Sequence, residues 1–79
     1  MGQRIKELRI ENGLTLKQLA ALLNVTIRTI QRYEDNSREP SVDCIKQLCR
    51  IFDVSADYLL GLVDWRTRGK YYFLYRAVI

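Results

Sequence analysis

Thr26 to Ser41 reads TIRTIQRYEDNSREPS, and this stretch decides the fold. At 100° per residue, Ile30 and Tyr33 point one way, with Thr26 and Thr29 near them. Ile27, Arg28, Gln31 and Arg32 point the other way. A helix over Ile27–Glu34 would therefore pack by one narrow stripe and show the rest of its surface to solvent. Thr26 is suited to cap it, and Asp35-Asn36-Ser37-Arg38-Glu39-Pro40 is a polar loop closed by proline.

The preceding residues supply what this stripe packs against. Leu16, Leu19, Ala20 and Leu23 repeat at i, i+3, i+4 and i+7, which predicts a helix over Leu16–Leu23. Thr15 followed by Gln18 has the spacing of a capping box. Asn24-Val25 breaks that helix, and asparagine tolerates the left-handed backbone that a tight turn needs. Two helices joined by such a turn, the second offering a polar face, make a helix-turn-helix.

The chemistry of that face is more selective than a charge patch. Arginine can donate two hydrogen bonds to guanine, glutamine can pair both ways with adenine, and an apolar side chain can meet a thymine methyl. Surface arginine and glutamine are common on solvated helices, so the face alone leaves both readings open.

Outward from this pair, a first helix is expected over Gly2–Asn12, with Ile5, Leu8 and Asn12 on one side and Asn12-Gly13 as a stop. Ser41 should cap a fourth over Val42–Phe52, carrying Ile45, Leu48, Cys49 and Phe52. Ser55 should cap a short fifth over Ala56–Leu60, ended by Gly61. The expectation is an all-α domain over 1–61, followed by an extension over 62–79.

Seventy-nine residues suffice for one small core, and 48% hydrophobic residues argue for a folded chain. No apolar run approaches the roughly 20 residues of a membrane span. The charged, amphipathic N-terminus has no signal-peptide apolar region, so a soluble, cytoplasmic protein is the default expectation. The net charge of +4 is unevenly placed. Residues 1–61 carry nine Lys/Arg against eight Asp/Glu, whereas 62–79 carry four against one. Bulk charge is thus weak evidence for nucleic acid, and the side chains sharing a face must carry the case. Cys44 and Cys49, five residues apart, have neither metal nor redox spacing, and the chain has no histidine. No metal site, cofactor site or catalytic constellation is expected.

RIKELRIENGLTLKQLAALLNV, TIRTIQRYEDNSREPS and LCRIFDVSADYLLGL together resemble the Cro and phage-repressor (XRE) type of helix-turn-helix protein, from Arg4 to Leu60. The resemblance implies a five-helix, lambda-repressor-like domain that binds operator DNA, usually as a dimer. It implies that Ile27, Arg28 and Arg32 face bases, with Gln31 beside them, and that Thr26 and Thr29 touch base or phosphate. Phosphate contacts are expected from Thr15, Lys17 and Gln18 at the start of the second helix, and from Asn36, Ser37 and Arg38 in the loop. Glu34 resembles an acidic residue that pairs with a first-helix arginine, here Arg9, which the helical wheel also places on the inner side. Leu16 stands where the family usually has glutamine, which puts that supporting contact in doubt. Asn24 and Asn36 stand at two positions that are usually glycine.

The extension LVDWRTRGKYYFLYRAVI falls outside the resemblance. Its aromatic and branched residues favour a strand, and pairing with a second copy, with Trp65 and Tyr72 at the interface, is one expectation. A disordered end, the start of a second domain, a helix on the fifth helix, and a basic arm of Arg66, Arg68 and Lys70 on DNA remain alternatives. The leading functional expectation is a sequence-specific DNA-binding regulator, a repressor, acting as a homodimer on a palindromic operator. The rival is an antitoxin or protein-interaction module of the same fold, with a protein partner.

Overall fold

The structure, a computed structural model, describes residues 1–66. Five helices follow one another: α1 (Gly2–Glu11), α2 (Leu16–Leu23), α3 (Ile27–Glu34), α4 (Val42–Phe52) and α5 (Ala56–Leu59). All described secondary structure is helical. The strand expected for YYFLYRAVI, with Tyr72, lies outside the described residues.

Local chemistry places the helix starts. Thr15, Thr26, Ser41 and Ser55 each sit in extended backbone at an N-cap, and each side-chain oxygen accepts from the amide three residues on. At α2 the capping box is complete, because Gln18 Oε1 also accepts from Thr15 N–H at 2.8 Å. Each such cap contributes about 1 kcal/mol. Two helices end one residue earlier than the pattern predicts. The Asn12 side chain donates to Leu8 O at 2.7 Å, and Gly13 at φ +68° turns the chain, so Asn12 caps α1 rather than extending it. Leu60 caps α5, and Gly61 follows at φ +82°.

Ile5, Leu8, Leu19, Ile30, Leu48 and Leu59 are at most 1% exposed and form the centre of the core. Val54 and the rings of Tyr33, Phe52 and Tyr58 close it. In α4 the buried stripe is Cys44, Leu48 and Phe52, while Ile45 and Cys49 are only half-buried. The stripe is thus rotated from the expected one toward the turn that carries Cys44.

α3 packs against both α2 and α1. The α2–α3 turn pivots on Asn24, which adopts φ 55°, ψ 46°. Asn24 N–H donates to Ala21 O at 3.2 Å, and Val25 N–H to Ala20 O at 2.9 Å. These bonds satisfy the end of α2 as a glycine cap would.

The junction of α1 with the end of α3 is closer still. Gly2 is buried, and a Cβ on it would run into Tyr33 O and lie 2.5 Å from Glu34 O. Its N–H donates to Asn36 Oδ1 at 2.9 Å. Met1 offers α1 no side-chain cap, so the loop after α3 supplies one from a distance. Asn36 itself sits at φ +65°.

Residues 62–66 fold back across the domain. The Arg4 guanidinium lies 4.1 Å from the Tyr58 ring centroid and donates to the carbonyls of Tyr58 and Val63. Ser55 N–H donates to Arg66 O at 3.0 Å, and the Arg66 guanidinium grips Glu11 with two bonds of 2.6 Å. Arg66, one of three residues considered for a basic arm, is therefore engaged with α1. Arg68 and Lys70 lie outside the described residues.

Candidate nucleic-acid interface

Ile30 and Tyr33 are buried, at 0% and 6% exposure, and hold α3 by one stripe. Full burial of a side chain of this size contributes about 1.5–3 kcal/mol. The opposite surface is left to solvent. There Ile27, Arg28, Gln31 and Arg32 line a single cleft together with Asp35 and Ser37. Ile27 is 42% exposed, a large apolar side chain left in water beside two arginines.

α3 is locked at its far end by an ion pair. Arg9 Nε donates to Glu34 Oε2 at 2.6 Å and Nη2 to Oε1 at 3.2 Å, while Nη1 reaches Leu14 O at 3.0 Å. The side chains are 13% and 8% exposed. The pair joins α1, α3 and the α1–α2 turn.

The remaining predicted positions form two groups. Thr15, Lys17 and Gln18 stand at the exposed N-terminus of α2. The capping box there uses the Gln18 amide and carbonyl oxygen. The amides of Leu16 and Lys17, in the first turn, have no intrahelical acceptor, and the helix dipole favours an anion beside them. Leu16 is half-buried and lines a second cleft with Gln3, Lys6, Arg9, Gln31, Glu34 and Asp35.

The second group is the loop after α3. Asn36 turns its amide oxygen inward to Gly2. Ser37 donates its N–H to Asp35 Oδ1 at 2.8 Å, and its hydroxyl bonds the same oxygen. Its N–H also lies 3.0 Å from Arg32 O. A phosphate here would have to compete for both Ser37 donors. Arg38 is exposed. Thr26 and Thr29 sit at the start of α3, their hydroxyls 2.9 Å apart, and the Thr26 oxygen already accepts from Thr29 N–H at 3.1 Å.

Asp35, Gln3 and Lys6 line these clefts without having been singled out in the sequence. Gln3, Lys6 and Arg9 recur every three residues on one side of α1, which was the available signal. Asp35 had a weaker one, since it falls just past Arg28 and Arg32 on the same side of the helix. The Ser37 hydroxyl and then its amide, bonding the Asp35 carboxyl, hold it below the usual carboxylate range.

A helix-turn-helix whose second helix is anchored by one stripe and presents Arg, Gln and Ile on the other defines the class of this domain. The helix-turn-helix family's sequence profile matches residues 5–59, and the chain belongs to that family, in its Cro and phage-repressor (XRE) branch. The chain is 40% identical over 62 residues to the uncharacterized HTH-type transcriptional regulator YobD of Bacillus subtilis (strain 168), covering 78% of this chain and 55% of that protein. It is 39% identical over 61 residues to the HTH-type transcriptional regulator ImmR of the same organism, covering 77% and 48%. The chain thus spans about half the length of the curated relatives it matches. Among solved structures it resembles SinR, a master regulator for biofilm formation, in complex with DNA. That match has TM-score 0.67 and 35% identity over 75% of this chain and 95% of that one. A transcriptional regulator from Listeria innocua matches with TM-score 0.69 and 26% identity, over 99% and 76%.

Proposed function

We propose that this chain binds duplex DNA sequence-specifically as a transcriptional regulator, with α3 in the major groove. The observation that carries the reading is the shared cleft of Ile27, Arg28, Gln31 and Arg32 on the exposed side of a helix clamped from behind by Ile30 and by the Arg9–Glu34 pair. Arg28 and Arg32 are offered for guanine edges, Gln31 for adenine and Ile27 for a thymine methyl. Thr26 and Thr29 adjoin base or phosphate at the start of α3. Thr15, Lys17 and Gln18, with the free amides of α2, bind one phosphate, and Asn36, Ser37 and Arg38 approach another. Such contacts set register without reading sequence. The match of 35% identity to SinR, solved in complex with DNA, supports DNA as the partner.

The regulator acts as a repressor by occupying promoter DNA, and it performs no chemistry on it. It binds as a homodimer to a palindromic operator with half-sites about 34 Å apart. Leu60 and Leu62, 46% and 71% exposed just past α5, are apolar surface that supports pairing with a second copy. No helix among the described residues is long and apolar enough to cross a membrane, and the setting we propose is the cytoplasm. Selection of duplexes from a randomised library tests the reading. Enrichment of a two-fold symmetric site supports it, and recovery of no preferred duplex contradicts it.

A second reading adds a protein partner, as an antitoxin or interaction module would have. Its support is the solved complex of SinR protein with SinI protein, which matches with 35% identity and TM-score 0.67 over 58% of that chain. Pull-down with the product of a neighbouring gene tests it.

A further inference from the structure

The cleft on α3 contains one acid. Asp35 lines it beside Ile27, Arg28, Gln31, Arg32 and Ser37, and it also borders the cleft shared with Gln3 and Lys6. It is fully exposed, and no ion pair within 4.0 Å neutralises it among the described residues. Arg32 attracts it only at longer range. Ser37 takes Oδ1 through both its amide and its hydroxyl. Those two bonds fix the carboxylate and leave Oδ2 available as an acceptor. The charge is also retained at neutral pH, because both bonds favour the ionised form.

A fixed anion on a surface that must approach a polyanion works against affinity for the phosphate backbone, which every DNA sequence offers equally. It becomes tolerable where a hydrogen-bond donor meets it. In the major groove the donors are the exocyclic amino groups, of which cytosine N4 is the usual partner of a carboxylate. We infer that Asp35 is a specificity-determining residue that requires a base edge bearing an amino group, cytosine foremost, at one operator position and penalises duplexes lacking it. Asp35 thereby lowers general DNA affinity and raises discrimination, whereas the neighbouring arginines raise both. This rests on the DNA-binding reading and adds to it one acidic residue and one base position.

The test compares wild type with Asp35→Asn and Glu39→Gln, each folded by circular dichroism. Each is put through library selection and then titrated with the best wild-type duplex and with random-sequence duplex. The asparagine substitution keeps an acceptor for the Ser37 amide but removes the charge. The expected result is that Asp35→Asn binds random duplex tighter and that the ratio of selected to random affinity falls roughly tenfold, the order of one discriminating base contact. The selected duplex gains less, and selection loses its preference at one position. Glu39→Gln, which removes an exposed acid outside the cleft, should retain that preference. Equal gains on both duplexes, no gain on either, or the same loss of preference in Glu39→Gln would overturn the inference. If wild type itself enriches no duplex, the DNA-binding reading fails, a separate result from failure at Asp35.

Discussion

Gly2 and Asn36 are 34 residues apart in sequence, yet the Gly2 N–H donates to Asn36 Oδ1 at 2.9 Å. The start of α1 is thereby capped by the loop that follows α3, and the two helix ends approach so closely that no side chain fits between them. The contact couples the frame of the domain to the end of the helix proposed to read DNA.

Gly2→Ala should therefore be destabilising although alanine is the better helix former. Its Cβ would meet two backbone carbonyls within 2.5 Å. Overpacking of this kind costs about 1–3 kcal/mol. Thermal unfolding should show a fall of roughly 4–8 °C per kcal/mol for a domain of this size. An unchanged Tm would mean that α1 can move aside freely.

Asn36→Gly makes the backbone easier, since φ +65° suits glycine, but removes the distal cap. The cap is the larger effect, so stability should fall by about 1 kcal/mol, the usual size of an N-cap loss. Chemical denaturation of Asn36→Gly beside wild type checks it, and a stabilised variant would show that backbone strain outweighs the cap.

The Arg9–Glu34 pair is nearly enclosed, at 13% and 8% side-chain exposure. Glu34→Ala should leave the Arg9 charge without its partner and cost about 3–5 kcal/mol. Arg9→Ala should do likewise, and the double variant should cost less than the two added together. Strict additivity in the denaturation data would show that the two side chains do not act as a pair.

Cys44 predicts the alkaline behaviour. Burial, the larger cause, raises its pKa above the ordinary 9.0, against a smaller opposing effect of Tyr33. The folded state therefore holds the thiol proton more tightly than the unfolded state. The resulting stability is fully present below pH 9.0 and is lost as pH rises through the higher folded pKa. Tyr33, raised from 10.0 mainly by burial, adds in the same direction at higher pH. Cys44→Ala should lower stability at pH 7 through lost packing, yet flatten its decline above pH 9.0. An equally steep decline in the variant would assign the alkaline loss to other groups.

Much of the fold could be read locally because its signals are local. Thr15, Thr26 and Ser41 mark helix starts by their own side chains, and Asn24 marks the turn by its tolerance of positive φ. Helical spacing alone groups Ile27, Arg28, Gln31 and Arg32, which line one cleft. Contacts between distant residues leave no such periodicity. The Gly2–Asn36 cap, the Arg66–Glu11 grip and the stacking of Arg4 on Tyr58 depend on how helices meet. Asp35 was missed for another reason. Helical spacing sets it on the side of Arg28 and Arg32, but as the first residue of a polar loop it looks solvated, and only the fold shows that it lines their cleft.

Whether side chains of α3 read base edges is tested by the affinity of Arg28→Ala/Arg32→Ala for the duplex that wild type selects and for random duplex. Both arginines are exposed and outside the core, so the variant should melt as wild type does. Each bidentate contact carries about 1–3 kcal/mol of discrimination. Preference for the selected duplex should collapse while the fold persists. Retained preference in a folded double variant would contradict base reading by α3.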